Sequence, residues 1–361
     1  MLVYLGLSSH GFGHAARQAA VLAALHRLHP HWRLVVSSAV DPAFLQLVFR
    51  GIPVTFRFCR WDVGMVQADA LSCDQEATLA ALDRLEQSLP TQICEEAAWI
   101  SSEALPVLVM GDIPPALARL AQRIGAPLIW LGNFGWDDIY GEQGNAFAPH
   151  VISARTDYRS GDLLLRMPFD LPMDWGIPEC SIGLTAARPR PLPQAVQESL
   201  AERAQERVLV GFGGLGMRID PELFHQWPDH QFLLPAPLDA AVASDLAALA
   251  NVSFLPQGFR PVDAMPHCHR LLGKPGFSTF SEALSTGIGL HVVERSGFAE
   301  ASALITGLRR HGWHRLLSRS AFDQGQWELN MPLEQPLASP LPVDGAEKAA
   351  QAISTLARSN L

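Results

Sequence analysis

Short apolar runs alternate with amphipathic stretches along almost the whole chain, and this alternation restricts the fold more than any other feature of the sequence. It is typical of βα units, in which helices join and cover the buried strands of a parallel sheet. The predicted strands lie at residues 2–7, 34–37, 54–58, 107–110 and 128–131, then at 207–211, 231–234, 252–255, 270–272 and 290–293. The predicted helices lie at 15–28, 42–49, 75–100 and 115–124, then at 239–250, 279–286, 299–311 and 346–358.

The pattern occurs twice, on either side of a proline-rich stretch. A chain of 361 residues accommodates two domains of roughly 150 residues each. Prolines break regular structure and stiffen a connection. We therefore predict an α/β protein with two Rossmann-like domains whose parallel sheets face a cleft. The predicted parts are a domain at 1–166, a linker at 167–193, a second domain at 194–344 and a final helix at 345–361.

Composition narrows the function classes. The net charge of −9 and the absence of a Lys/Arg run argue against a nucleic-acid binder. No apolar stretch approaches the roughly 18 residues of a membrane-spanning helix, although peripheral membrane contact stays open. The five cysteines are scattered and form no C-x-x-C pair, which favours reduced thiols in the cytoplasm over disulfides or a metal site.

The first candidate site is the glycine-containing loop at residues 8–14, between the first strand and the first helix. His10, Gly13 and His14 lie where open α/β sheets bind ligands, at the carboxyl end of a strand. A histidine there can act as a general base near neutral pH. The alternative is a tight turn whose histidines only cap the helix or bond to the loop.

The second candidate is Asp112, which follows another strand of the first half. It could orient a histidine of the first loop and stabilise its charged form. The alternative is an N-cap before the two prolines that follow. A third candidate segment contains Asn133, Trp136 and Asp137. Its rings and acids could form a platform for a sugar or acceptor, or they could be an aromatic core plug with surface acids.

The strongest pattern is the turn and helix start at residues 273–284. Gly276 permits a close backbone turn, and Ser278 and Thr279 offer hydroxyl and N–H groups to a phosphate. Glu282, one helical turn further, could accept hydrogen bonds from ribose hydroxyls. The glycine-rich loop at 211–216, with Gly213 and Gly214, is weaker evidence for the same ligand. In each case the alternative is an ordinary glycine turn.

Several of these segments resemble a known group. Residues 10–17, 111–112 and 133–140 resemble the N-terminal glycosyltransferase-like region of plant L-arabinokinases and related stand-alone bacterial glycosyltransferase-like proteins. Residues 274–283 resemble the donor-binding turn of the glycosyltransferase-B (GT-B) superfamily. The likeness covers residues 1–310 and implies a GT-B fold, with an acceptor domain first and a donor nucleotide-sugar domain second.

The resemblance also implies roles. His14 matches the catalytic base of plant-type enzymes, and Asp112 matches its partner. Ser278 and Thr279 match diphosphate contacts, Glu282 matches the ribose-binding glutamate, and Glu300 falls near residues that hold donor sugar hydroxyls. Two departures concern the donor. Residues 273–276 read Gly-Lys-Pro-Gly instead of His-Cys-Gly-Trp, and Glu300 is followed by alanine instead of glutamine.

We therefore expect a glycosyltransferase that moves a sugar from a nucleotide-sugar donor to a hydroxyl acceptor without a metal or other cofactor. Two alternatives remain open from the sequence. One is a non-catalytic sugar- or nucleotide-binding module of the arabinokinase N-terminal type. The other is a nucleotide-sugar epimerase.

Overall fold

A computed structural model describes residues 1–66, 73–201, 206–212, 219–235, 240–295 and 298–359. The chain divides into two compact units. The first unit contains Met1–Ala186, Gly297–Ala303 and Pro342–Leu361, and the second contains Ala187–Ser296 and Leu304–Leu341. Each unit has its own parallel sheet, as the alternating sequence pattern predicts.

The sheet of the first unit has seven strands, in the order β3-β2-β1-β4-β5-β6-β7. All adjacent pairs are parallel. Its central strands are buried on both faces, which is why they read as continuous apolar runs. The strands are β1 (Leu2–Leu7), β2 (Arg33–Ser37), β3 (Val54–Arg57), β4 (Val107–Asp112), β5 (Leu128–Gly132), β6 (Leu163–Arg166) and β7 (Glu179–Ser181).

The sheet of the second unit has six strands, in the order β10-β9-β8-β11-β12-β13, again all parallel. In both sheets, therefore, successive strands are added outward from a central pair, first on one side and then on the other. The strands are β8 (Glu206–Gly211), β9 (His230–Leu234), β10 (Val252–Phe254), β11 (Arg270–Gly273), β12 (Gly289–Val293) and β13 (His314–Leu317).

Helices connect the strands and cover the sheets. Some begin at side-chain caps: the carboxylate of Asp74 accepts a hydrogen bond from the Ala77 N–H at 2.9 Å. The helices are α1 (Gly13–Leu28), α2 (Pro42–Val48), α3 (Gln75–Ser102), α4 (Leu117–Ile124), α5 (Trp136–Gly141), α6 (Ala148–Tyr158), α7 (Gln194–Ala201), α8 (Glu222–His225), α9 (Ala240–Ala247), α10 (Pro261–Ala264), α11 (Phe277–Thr286), α12 (Ala299–His311), α13 (Arg319–Asp323) and α14 (Gly345–Ser359). Among the described residues, no helix is long and apolar enough to cross a membrane.

The structure places the unit boundaries differently from the sequence prediction. The first unit extends to Ala186, beyond the predicted end at 166, because β7 pairs with β6 inside the predicted linker at 167–193. The predicted final helix forms as α14, but it packs on α1 and belongs to the first unit. One of its anchors is the 2.8 Å hydrogen bond between His29 Nε2 and Ser354 Oγ. The second unit accordingly begins at Ala187 and ends at Leu341, in place of 194–344.

Candidate active site

The first candidate site lies at the centre of the first sheet, where the strand order reverses. Strands β1 and β4 are neighbours there, and Leu7 at the end of β1 pairs with Asp112 at the end of β4. The loop after β1 leads into α1, so His14 in its first turn reaches the carboxyl end of β4. Doubly wound sheets bind ligands at this point, outside the carboxyl ends of the strands.

His14 and Asp112 meet in the protein interior. Nδ1 of His14 lies 2.9 Å from Oδ1 of Asp112. Asp112 is fully buried and His14 is 7% exposed. Among the residues that the structure describes, none hydrogen-bonds to Nε2 of His14. This arrangement anchors one ring nitrogen and leaves the other available, as a general base requires.

Two further residues, neither of them predicted from the sequence to have a role, complete the surroundings of Asp112. Arg17 donates from Nε to Asp112 Oδ2 at 2.7 Å, and its NH2 group contacts Oδ1. Gln18 donates from Nε2 to Oδ2 at 2.6 Å. The helical period would have identified both residues, because positions three and four after His14 share its face of α1.

These contacts fix the charge of Asp112. Burial raises the pKa of its carboxyl, but the Arg17 guanidinium and His14 outweigh that effect and bring the pKa to about 2. Asp112 is therefore a carboxylate throughout the physiological range. Its other proposed role, as an N-cap, is not used, because α4 begins later, at Leu117.

A second buried carboxylate, Asp62, lies close to His14 and comes from the chain that follows β3. It accepts hydrogen bonds from Trp136 Nε1 at 2.8 Å and from the Ser9 N–H at 3.3 Å. Burial raises the pKa of Asp62, and hydrogen bonds from residues that include Ser8 and Trp136 oppose this rise. No spacing in the sequence links Asp62 to the first loop, since only the fold brings them together.

His10 and Gly13 flank this site at the loop. His10 accepts a hydrogen bond at Nδ1 from the Met65 N–H at 3.3 Å, and its ring lies 5.6 Å from the Phe298 ring in a stacked arrangement. Gly13 is the first residue of α1 and is exposed. The tight turn depends instead on Gly11, whose φ of +101° disfavours residues with a Cβ.

The segment after β5 is mostly core. Trp136 is fully buried, so the prediction of an open stacking platform at this residue is wrong; its ring packs against His10, Phe134 and Tyr140. Asp137 is buried too, where it accepts hydrogen bonds from Arg155 Nε at 3.2 Å and from Trp175 Nε1. These contacts support the core alternative.

Asn133 differs from Trp136 and Asp137, because both the oxygen and the nitrogen of its side-chain amide hydrogen-bond to residues of the site. Its Oδ1 accepts from Arg17 NH1 at 2.7 Å, and its Nδ2 donates to Glu300 Oε1 at 2.9 Å. Glu300 lies in the part of α12 that belongs to the first unit. A continuous chain of hydrogen bonds thus joins Glu300 to Asp112, and through Asp112 to His14.

The second candidate site lies at the equivalent point of the other sheet. Strands β8 and β11 are neighbours at its centre, and Gly211 pairs with Gly273. A Cβ on Gly273 would come within 2.5 Å of the Gly211 carbonyl oxygen, so a glycine is needed there for the strands to approach. The predicted donor turn follows directly and leads into α11.

Helix α11 begins at Phe277, shortly after the end of β11. Gly276 is its N-cap, and its φ of −167° is an extended conformation that any residue adopts. The conformation of Gly276 therefore does not itself require a glycine. Among the described residues other than its chain neighbours, the atom nearest to a Cβ placed on Gly276 would be Thr279 Oγ1, at 3.9 Å. Ser278 is buried and Thr279 is partly exposed in the first turn.

Glu282 lies one turn into α11 with a carboxyl that no described residue hydrogen-bonds. The residue is partly exposed, but the carboxyl itself is surrounded by protein, and this burial raises its pKa to about 8 against the opposing charge of Arg260. A carboxyl held in this state has free acceptor capacity for hydroxyl groups of a ligand.

The structure does not test two of the predictions, the glycine-rich loop and the reaction without a metal. Gly213 and Gly214 lie outside the described residues. Within the described ranges, no group of three or more His, Cys, Asp or Glu side chains is arranged to hold a metal ion.

Comparison with known proteins identifies the fold. No protein-family model matches the sequence. L-arabinokinase of Arabidopsis thaliana is 28% identical over 334 residues, which cover 89% of this chain and 31% of that protein. The chain thus spans about a third of the length of this curated relative.

Among solved structures, Medicago truncatula UGT71G1 complexed with UDP-glucose superposes with a TM-score of 0.61 at 12% identity, covering 99% of this chain and 94% of that one. Acinetobacter baumannii MurG gives a TM-score of 0.53 at 14% identity, with 99% of each chain covered. The chain has the GT-B fold and is similar in sequence to L-arabinokinase over most of its own length. Both candidate sites occupy the switch point of their own sheet.

Proposed function

We propose that this chain is a glycosyltransferase that moves a sugar from a nucleotide-sugar donor to a hydroxyl acceptor. The observation that carries the proposal is the buried His14–Asp112 pair, 2.9 Å apart at the switch point of the first sheet, with Nε2 of His14 unpaired among the described residues. Two of the similar structures support the substrate classes. Medicago truncatula UGT71G1 is complexed with UDP-glucose, and Arabidopsis thaliana UGT89C1 is complexed with quercetin.

In the proposed reaction, Nε2 of His14 accepts the proton of the acceptor hydroxyl as its oxygen attacks the anomeric carbon of the donor. The bond from that carbon to the diphosphate breaks, and the nucleoside diphosphate leaves with the bonding electron pair. Asp112 holds the ring through Nδ1 and stabilises the imidazolium that forms. Such general-base assistance contributes about 10²–10⁴-fold to the rate.

The second unit would bind the donor. The N-terminus of α11, at Gly276, Ser278 and Thr279, would meet the diphosphate, whose charge the helix dipole favours. The carboxyl of Glu282 would accept hydrogen bonds from the ribose. We propose that these groups meet the charge of the leaving group without a metal. We also propose a cytoplasmic location, because the five cysteines are scattered along the sequence and form no C-x-x-C pair, a pattern that favours reduced thiols.

The test is a screen of nucleotide sugars for thermal stabilisation of the whole chain, followed by turnover assays with the donor that binds. A bound donor at 100 times its Kd stabilises by about 2.7 kcal/mol. We expect release of nucleoside diphosphate, reduced about 10²–10⁴-fold by His14→Ala. Binding without turnover would identify a binding module instead, and conversion of one free nucleotide sugar into another would identify an epimerase.

A further inference from the structure

Arg17 is the most constrained cation in the first candidate site. Its side chain is 2% exposed and its three nitrogens all have partners: Nε and NH2 contact the two oxygens of Asp112, and NH1 donates to Asn133. NH2 also lies 3.1 Å from Nδ1 of His14. A guanidinium is charged at every pH a protein meets, so this position carries a permanent positive charge next to the proposed base.

A buried carboxylate needs a counter-charge, because desolvation of an unpaired charge is costly. Two groups in contact with Asp112 can supply one, Arg17 or a protonated His14. If His14 supplied it, the ring would already hold the proton that a base has to accept. Arg17 can supply the counter-charge instead, since it contacts both carboxylate oxygens, and His14 then does not have to be protonated.

We propose that Arg17 is a positioning residue that balances the buried charge of Asp112 and thereby keeps His14 neutral and able to accept a proton. The charge balance follows from this chain's own contacts, and only its catalytic consequence rests on the function proposed above.

The geometry also determines which ring nitrogen carries the single proton of neutral His14. Arginine only donates hydrogen bonds, so Nδ1 cannot accept from Arg17 and donate to Asp112 at the same time. The bond to the carboxylate is charge-assisted, at 2.9 Å, and the Arg17 NH2 group already has Asp112 Oδ1 as its acceptor. The proton is therefore on Nδ1, and Nε2 has a free lone pair.

The other charged groups around His14 make the arginine more necessary. Asp62, from the chain after β3, is buried and interacts electrostatically with His14. Its negative charge favours a proton on the ring, as that of Asp112 does. On the side of α12, Glu300 meets the amide of Asn133, which separates this third carboxylate from Arg17. The ring of Phe134 covers His14 at 5.9 Å between centroids and adds no charge.

The experiment measures the protonation of His14 directly, by NMR of the whole chain labelled with ¹⁵N in the histidine rings. The His14 signals are assigned by their loss in His14→Gln. Titrations then compare the wild-type chain with Arg17→Gln, Arg17→Lys and the double variant Arg17→Gln/Asp112→Asn. The matched control is Arg119→Gln, which removes another arginine that bridges two carboxylates of the first unit, Glu86 and Asp157, and does not contact His14.

We expect the pH at which His14 loses its second ring proton to be at least one unit higher in Arg17→Gln than in the wild-type chain. This difference is a tenfold gain in proton affinity. Arg17→Lys, which keeps the charge, should stay within about threefold of wild type. The double variant removes both buried charges and should reverse most of the shift. Arg119→Gln should leave His14 unchanged.

An unshifted His14 in Arg17→Gln, or an equal shift in Arg17→Lys, would overturn the proposal, and so would a double variant that keeps the full shift. If Arg17→Gln does not fold, the double variant and Arg17→Lys still decide, because neither leaves a lone buried carboxylate. If Arg17 only stabilised the fold, the double variant would not reverse the shift in the protonation of His14.

The catalytic consequence is read separately, from the pH dependence of kcat. Arg17→Gln should lose at least tenfold in kcat at neutral pH and recover as pH rises, with KM for the donor unchanged. If no donor is ever turned over, the proposed function fails and the NMR result still stands. If turnover occurs but the Arg17→Gln profile matches wild type, the charge-balancing role fails alone.

Discussion

The two candidate sites occupy equivalent positions in their sheets but differ in how their carboxyl groups are satisfied. In the first unit, Asp112 receives hydrogen bonds from Arg17 and Gln18 and faces His14, and its pKa falls to about 2. In the second unit, the carboxyl of Glu282 has no hydrogen-bond partner among the described residues, and its pKa rises to about 8. The first carboxyl is organised by the protein, whereas the second has acceptor capacity that a ligand could use.

This contrast has a physical meaning. A group that must act at the moment of reaction gains from being held in advance, because no reorganisation is then needed. A group that recognises a substrate can stay unpaired until the substrate's own hydroxyls reach it. We therefore expect substitutions in the first network to reduce stability, and substitutions at Glu282 to reduce ligand affinity.

The largest effect should follow from Asp112→Ala, which leaves the buried Arg17 charge without its carboxylate. We expect a loss of about 3–5 kcal/mol in the free energy of unfolding, measured by urea denaturation. The matched control is Glu86→Ala, which removes a carboxylate from Arg119 at a half-exposed pair and should cost at most about 1 kcal/mol. Equal losses in the two variants would contradict the view that the first site is organised in advance.

The opposite behaviour is expected of Glu282→Gln. This change should weaken the binding of a nucleoside diphosphate about 2–10-fold, because the carboxyl is protonated at neutral pH and a hydrogen bond to an uncharged group contributes about 0.5–1.5 kcal/mol. It should leave the unfolding free energy of the free chain at least as high as in wild type. Isothermal titration calorimetry measures the affinity, and Glu198→Gln on the exposed side of α7 is the control. Unchanged affinity would remove Glu282 from the donor site.

The same carboxyl should also give the free chain a pH-dependent stability. Because its pKa is about 8 when folded and near 4.5 when unfolded, the folded chain holds this proton more tightly. The contribution is fully present below pH 4.5 and is lost as pH rises through 8. We expect a loss of about 1–2 kcal/mol relative to Glu282→Gln, because solvent near the partly exposed residue screens the effect. Urea denaturation at pH 4.5, 6.5 and 8.5 measures it, and a constant difference would show that the carboxyl is not perturbed.

Much of this architecture is readable from the sequence, and the reasons for the failures are specific. Apolar runs and glycine turns predict strands and loops, so Asp112 falls at the carboxyl end of a strand, and His14 and Glu282 fall near the starts of helices that follow strands. Asp62 was missed because its proximity to His14 arises only from the packing of the chain after β3. The two interpretations of Trp136 could not be separated from the sequence, because a ring after a strand looks the same whether it faces solvent or, as here, the Asp62 carboxylate. Short β7 was missed because its exposed residues lack the apolar signal.

The smallest expected effect concerns Glu300, the point where the first network reaches α12. Glu300→Gln keeps an oxygen that can accept from Asn133 Nδ2, so the unfolding free energy should change by less than about 0.5 kcal/mol. Glu300→Ala removes that acceptor and should cost about 0.5–1.5 kcal/mol. If Glu300 holds donor sugar hydroxyls as the resemblance implies, both variants should weaken nucleotide-sugar binding and leave nucleoside diphosphate binding unchanged, because only the sugar reaches this residue. Equal weakening of both ligands would show that Glu300 acts through the stability of the network and not through the sugar.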